Sequence, residues 1–144
     1  MYDTILTPTD GSETAETGLD EALEIAKLTG GTIHGLFVFD IGEYNTVPAT
    51  DLVTTEEELT EQKEQAIEVV QSRAKDAGVP IETTTVRGVP HKEILAYVDE
   101  HDIDLIVMGT HGRSGLDHFL RGSITENVLH HATVPVLVVR SVDR

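Results

Sequence analysis

The residues of this chain best suited to chemistry lie in one run, Gly109-Thr110-His111-Gly112-Arg113-Ser114-Gly115, with Arg121-Gly122-Ser123 a few positions on. Glycines at positions 109, 112 and 115 let backbone N–H groups approach an anion closely, since no Cβ intervenes. A helix opening at Ser123 adds unpaired N–H donors and the positive end of a helix dipole. His111, Arg113, His118 and Arg121 make the loop locally basic, opposed only by Asp117, in a chain whose formal net charge is -16. A basic, glycine-rich loop on so acidic a protein is the pattern of a phosphate cradle. It does not name the ligand, because such loops serve several nucleotides. No Gly-Lys-Ser/Thr follows a strand as in a Walker loop, and the Gly-x-Gly-x-x-Gly dinucleotide fingerprint is absent after the first strand.

The elements that must hold this loop follow from hydrophobic periodicity. Residues 3–8 read as a first strand ending at Pro8. Ala15, Leu19, Ala22, Leu23 and Ala26 fall at helical spacing within 13–28, and Gly30-Gly31 stops that helix. A second strand spans 32–39, followed by a polar stretch over about 40–53. A long helix then starts in a capping box, Thr55 with Glu58 or Thr54 with Glu57. It carries Leu59, Ala66, Val70 and Ala74 on one stripe and closes at Gly78. Residues 81–86 form a third strand, and Pro90 opens a short helix bearing Ile94, Leu95 and Val98. Residues 104–108 are a continuous apolar strand, a helix follows over about 123–131, and Val134–Val139 is the last strand.

This alternation predicts a Rossmann-like α/β fold: an open five-stranded parallel sheet in the order 3-2-1-4-5 with helices on both faces, all in one domain over residues 1–144. In such sheets ligands bind beyond the carboxyl ends of the strands where the order reverses, here between the first and fourth strands. The glycine-rich loop follows the fourth. The first is followed by Thr9-Asp10-Gly11-Ser12, a tight turn that aims Asp10 at the same crevice. Asp10 also has the structural option of bonding its own backbone as a turn residue, and Ser123 with Glu126 is also an ordinary capping box. The adjacent His130 and His131 point about 100° apart on a helix and make no metal pair. His34, His91 and His101 read as surface or packing residues.

Composition narrows the field. Net charge -16 argues against nucleic acid or an anionic membrane as partner. With lysine only at Lys27, Lys63, Lys75 and Lys92, the acid-rich surface suits a halophilic setting, where screening quenches self-repulsion. The absence of cysteine excludes disulfides, thiolate metal sites and cysteine catalysis, and fits a cytoplasmic location. The start, with no basic segment leading into an apolar run, suggests no signal peptide.

At the loop the chain resembles the universal stress protein family. Nucleotide-binding members carry Gly-x2-Gly-x9-Gly-Ser/Thr, matched here by Gly109, Gly112, Gly122 and Ser123 at full spacing. The start Ile5-Leu6-Thr7-Pro8-Thr9-Asp10-Gly11-Ser12, the phrase Gly88-Val89-Pro90-His91 and the tail Thr133-Val134-Pro135-Val136-Leu137-Val138-Val139 also match, so the similarity covers nearly the whole chain outside the 40–53 loop. The resemblance implies ATP or another adenine nucleotide as ligand. Pro8, Thr9 and Asp10 would line the adenosine pocket, with Asp10 near the ribose. Val38 would meet the adenine edge through its backbone, and Met108 and Gly109 would flank base and sugar. Gly112, Arg113, Gly122, Ser123 and Thr125 would hold the phosphates, with Mg²⁺ bridging phosphate oxygens, and His111 and Ile124 would belong to the same pocket. It also implies a stress-response role and a homodimer pairing through Val134–Val139, consistent with the need to cover an apolar edge strand.

Besides a nucleotide-binding regulator with an unidentified protein partner, the sequence admits three other readings. An ATPase or nucleotidyl-transfer enzyme would use the same pocket, but no general base or oriented nucleophile is evident in the sequence, leaving slow hydrolysis at most. A flavodoxin-like FMN carrier fits the Ser/Thr-rich turn after the first strand but lacks aromatic residues to sandwich the flavin. A receiver-like domain would need an Asp after the third strand and a Lys after the fifth, where Arg87-Gly88 and Arg140-Ser141 stand.

Overall fold

The computed structural model describes residues 1–9, 13–40, 56–111 and 122–141. Its elements are β1 (Thr4–Thr9), α1 (Glu13–Thr29), β2 (Thr32–Asp40), α2 (Glu56–Ala77), β3 (Ile81–Gly88), α3 (Pro90–Glu100), β4 (Leu105–His111), α4 (Gly122–His131) and β5 (Val136–Ser141). The five strands form one parallel sheet in the order β3-β2-β1-β4-β5. The order reverses between β1 and β4, as the alternation of elements predicts.

Period-two alternation divides the strands' side chains between two cores. Ile5, Ile33, Phe37, Leu105 and Val107 face α1 and α2, meeting Leu19, Ala22, Leu23 and Ala26 from the first helix and Val70 and Ala74 from the second. Leu6, Leu36, Val38, Ile106 and Met108 face α3 and α4, meeting Ile94, Tyr97, Val98, Ile124 and Val128. Each fully buried aliphatic side chain here contributes about 1.5–3 kcal/mol of transfer free energy. The anticipated stripe of α1 is buried throughout. On α3 the deep positions are Ile94, Tyr97 and Val98, whereas Leu95 is only partly covered.

Helix ends follow local chemistry. Gly30 takes φ 75° after α1, and the Gly31 amide donates back to the Ala26 carbonyl. Gly78 takes φ 71°, with its amide on the Lys75 carbonyl and the Val79 amide on Ala74, a Schellman closure of α2. Pro90 occupies the first turn of α3, where a missing N–H costs nothing. The capping box at Thr54 or Thr55 and most of the polar 40–53 stretch lie outside the described residues.

Several strand limits differ from expectation. β1 runs one residue past Pro8, which pairs with Leu36 while Thr9 pairs with Phe37. β3 continues through Arg87 and Gly88 because β2 extends to Asp40 beside them. The last strand starts at Val136 rather than Val134: the Ile106 amide donates to the Pro135 carbonyl, and proline has no N–H to continue the ladder outward. β4 runs to His111, so Gly109 and His111 are paired strand residues opposite Val139 and Ser141 rather than the opening of a loop.

Candidate functional site

The candidate site gathers at the carboxyl ends of β1 and β4. Ile5 pairs with Leu105 and Leu6 with Ile106. Pro8, Thr9, Met108 and Gly109 follow on these two strands beyond the paired residues. Pro8, Thr9, Met108 and Gly109 are all buried, so the walls of the crevice are backbone set by the sheet. Met108 and Val38 commit their side chains to the α3/α4 core. His111 closes β4 at its outer end. Asp10, Gly112 and Arg113 lie outside the described residues.

Helix α4 supplies the other part. It starts at Gly122, one residue earlier than expected, which moves Ser123 from the N-cap into the first turn. The first four N–H groups of an α-helix have no partner within the helix. Here they belong to Gly122, Ser123, Ile124 and Thr125, of which the family resemblance implies Gly122, Ser123 and Thr125 as phosphate contacts. No acidic residue occupies that first turn, so the positive end of the dipole is not offset by the helix's own side chains. Ile124 buries its side chain in the core, leaving its backbone as the donor. Thr125 is 7% exposed, and among the described residues its buried Oγ1 has no hydrogen-bond partner. A desolvated hydroxyl without a partner costs about 1–3 kcal/mol, so its retention at a helix start calls for an explanation. The other such hydroxyl among the described residues, Thr7 Oγ1, has the strand parity of Ile5 and so belongs to the α1 side.

Two features were not singled out by the sequence. Gly18 of α1 lies against the backbone of Gly109. At the amino ends of the strands, His34 is 7% exposed and its Nδ1 is 2.7 Å from the Tyr97 hydroxyl. Its Nε2 is 3.3 Å from Glu82, and Tyr97 stacks on His101 with ring centroids 3.7 Å apart. Burial lowers the His34 pKa; Glu82 opposes that shift and His101 adds to it. The sequence left His34 as a surface or packing residue; the structure buries it, and its partner leaves no local mark because Tyr97 is 63 residues away.

Elsewhere, Arg73 of α2 bonds both Glu16 and Asp20 of α1, fastening the two helices together. Among the described residues no three His, Asp or Glu side chains converge as metal ligands, and no helix is long and apolar enough to cross a membrane.

Comparison with known proteins bears on the family and the fold. The universal stress protein family model matches residues 1–140. Universal stress protein MJ0531 of Methanocaldococcus jannaschii is 36% identical over 143 residues, covering 97% of this chain and 83% of the relative. The solved structure of MJ0577, from the same organism, superposes with a TM-score of 0.80 at 35% identity, covering 100% of this chain and 99% of the other. A universal stress protein solved in complex with cAMP gives a TM-score of 0.69 at 25% identity, covering 96% and 97% of the two chains. With the model spanning nearly its whole length and the sheet order, reversal point and helix placement in agreement, the chain belongs to the universal stress protein family.

Proposed function

We propose that this chain is an adenine-nucleotide-binding regulatory protein, one domain over 1–144, that holds ATP with Mg²⁺ across the β1/β4 crevice and acts in the cytoplasmic stress response. The observation that carries the reading is Thr125: among the described residues its buried hydroxyl has no partner, and it stands in the first turn of α4, the helix that follows β4, whose start bears no acid. That donor set suits a phosphate, which accepts from backbone N–H and hydroxyl groups alike. The cAMP complex of a family member supports the adenine class of ligand. In this reading Pro8, Thr9, Asp10, Val38, Met108 and Gly109 receive the nucleoside. His111, Gly112, Arg113, Gly122, Ser123, Ile124 and Thr125 receive the phosphates. Mg²⁺ lowers the repulsion between polyphosphate and a chain of net charge -16.

The reading also holds the protein to be a homodimer joined along β5. That strand is a sheet edge with Leu137 exposed and Val136, Val138 and Val139 only partly covered, which suits pairing with a second copy. A monomeric mass in sedimentation equilibrium at micromolar concentration would end that part of the reading.

Calorimetric titration with ATP and Mg²⁺, at low and high salt, tests the nucleotide site. The wild type is expected to bind in the micromolar range, about 8 kcal/mol of binding free energy. Gly122→Val sets a β-branched side chain where backbone meets phosphate and is expected not to bind. Absence of binding by the wild type at either salt would refute the reading.

A further inference from the structure

Helix α1 makes its widest contact with the sheet along β4, and at one point the two backbones meet directly. A Cβ placed on Gly18 would stand 2.6 Å from the Gly109 amide nitrogen and 3.2 Å from both the Gly109 Cα and the Met108 carbonyl carbon. Those atoms are backbone and cannot rotate aside as a side-chain tip can. The positive-φ glycines are Gly30 and Gly78, so Gly18 is not there for an unusual backbone conformation. Inside a helix, glycine instead costs about 1 kcal/mol relative to alanine. What it provides here is close approach.

Position 18 is gripped from both sides. Glu16 and Asp20, which flank it, are both bonded by Arg73 of α2, and the next turn is buried through Leu19, Ala22 and Leu23. On the strand side, Leu105 to Met108 are buried up to the residue before Gly109. β4 pairs with β1 at Leu105 and Ile106, whereas its outer part from Val107 to His111 is paired with the edge strand β5. A side chain at position 18 would therefore displace the outer end of β4, where Gly109 stands.

We propose that Gly18 is a positioning residue of the nucleotide site: by letting α1 rest on the Gly109 backbone, it sets the separation between the β1 and β4 walls of the crevice. The inference rests on the nucleotide reading above and assigns to α1 a part in ligand affinity.

The test compares two glycines with equally tight seats. Gly31 precedes β2 at the opposite end of the sheet, and a Cβ there would stand 2.5 Å from the Tyr2 carbonyl oxygen. Gly18→Val and Gly31→Val are both expected to lower the unfolding midpoint. Valine is no worse a helix former than glycine, so the loss at position 18 reports packing. Only Gly18→Val is expected to weaken Mg-ATP binding, by about tenfold or more, which is about 1.4 kcal/mol of binding free energy. It is also expected to shift the Gly109 amide resonance of the nucleotide-free protein. Gly18→Ala, the milder variant should valine prevent folding, moves the same resonance by less. Wild-type affinity in Gly18→Val, or an equal loss in Gly31→Val, would overturn the inference alone. A wild type that binds no adenine nucleotide would overturn the site reading and the inference with it.

Discussion

Tyr97→Phe tests the polar pair buried beneath α3. The substitution keeps the ring, its volume and its stacking on His101, and removes one hydroxyl. That hydroxyl is 2.7 Å from His34 Nδ1 and 3.4 Å from Thr84 Oγ1, on a side chain 5% exposed. A net intramolecular hydrogen bond contributes about 1 kcal/mol, and stranding a buried partner raises the loss toward 1–3 kcal/mol. His34 keeps its contact with Glu82, so the lower half of that range applies, about 1–2 kcal/mol. For a domain of this size that is a fall of roughly 3–8 °C in Tm. Urea unfolding at pH 7.5 and fixed high salt, paired with scanning calorimetry, measures it. A double-mutant cycle with His34→Gln isolates the coupling. A loss below about 0.3 kcal/mol, or additive single losses, would show that the pair is not coupled and that the geometry around His34 has been misread.

The same histidine predicts a pH dependence. Its pKa is lowered by burial from the ordinary 6.5, so the folded state holds it neutral while the unfolded chain takes up a proton. Its contribution is fully present above pH 6.5 and is lost as pH falls from there through the lowered folded value. His34→Gln should flatten that part of the stability profile, and an unchanged profile would assign the slope to other groups. Thr125→Val removes the partnerless hydroxyl at nearly constant volume. The nucleotide-free protein should be equally stable or gain up to about 1 kcal/mol, while Mg-ATP binding weakens; a stability loss with unchanged affinity would assign Thr125 to the fold. Raising salt from 0.1 to 1 M shortens the Debye length from about 10 to 3 Å, so a chain of net charge -16 should gain several degrees in Tm; a flat or falling series would remove the halophilic reading.

Local patterns in the sequence determined most of the architecture. The stripe of α1, the glycine stops at Gly30 and Gly78, Pro90 at the start of α3 and the apolar strands all depend on neighbours within a few residues, as does the alternation from which the sheet order follows. The phrase Gly109-x2-Gly112-x9-Gly122-Ser123 marked the candidate site because glycine spacing and a local basic cluster are visible without a fold. Strand limits were less legible: how far β4 and β3 run depends on Val139–Ser141 and Phe39–Asp40 beside them, and hydrogen-bond partners across a sheet leave no local mark. Three things only the tertiary structure decided. His34 is bonded to Tyr97, 63 residues on. Thr125 buries a hydroxyl that has no partner among the described residues. Gly18 is glycine because the backbone of Gly109 lies against it. Each depends on separation in space between residues far apart in the chain, and short-range periodicity contains no term for that distance.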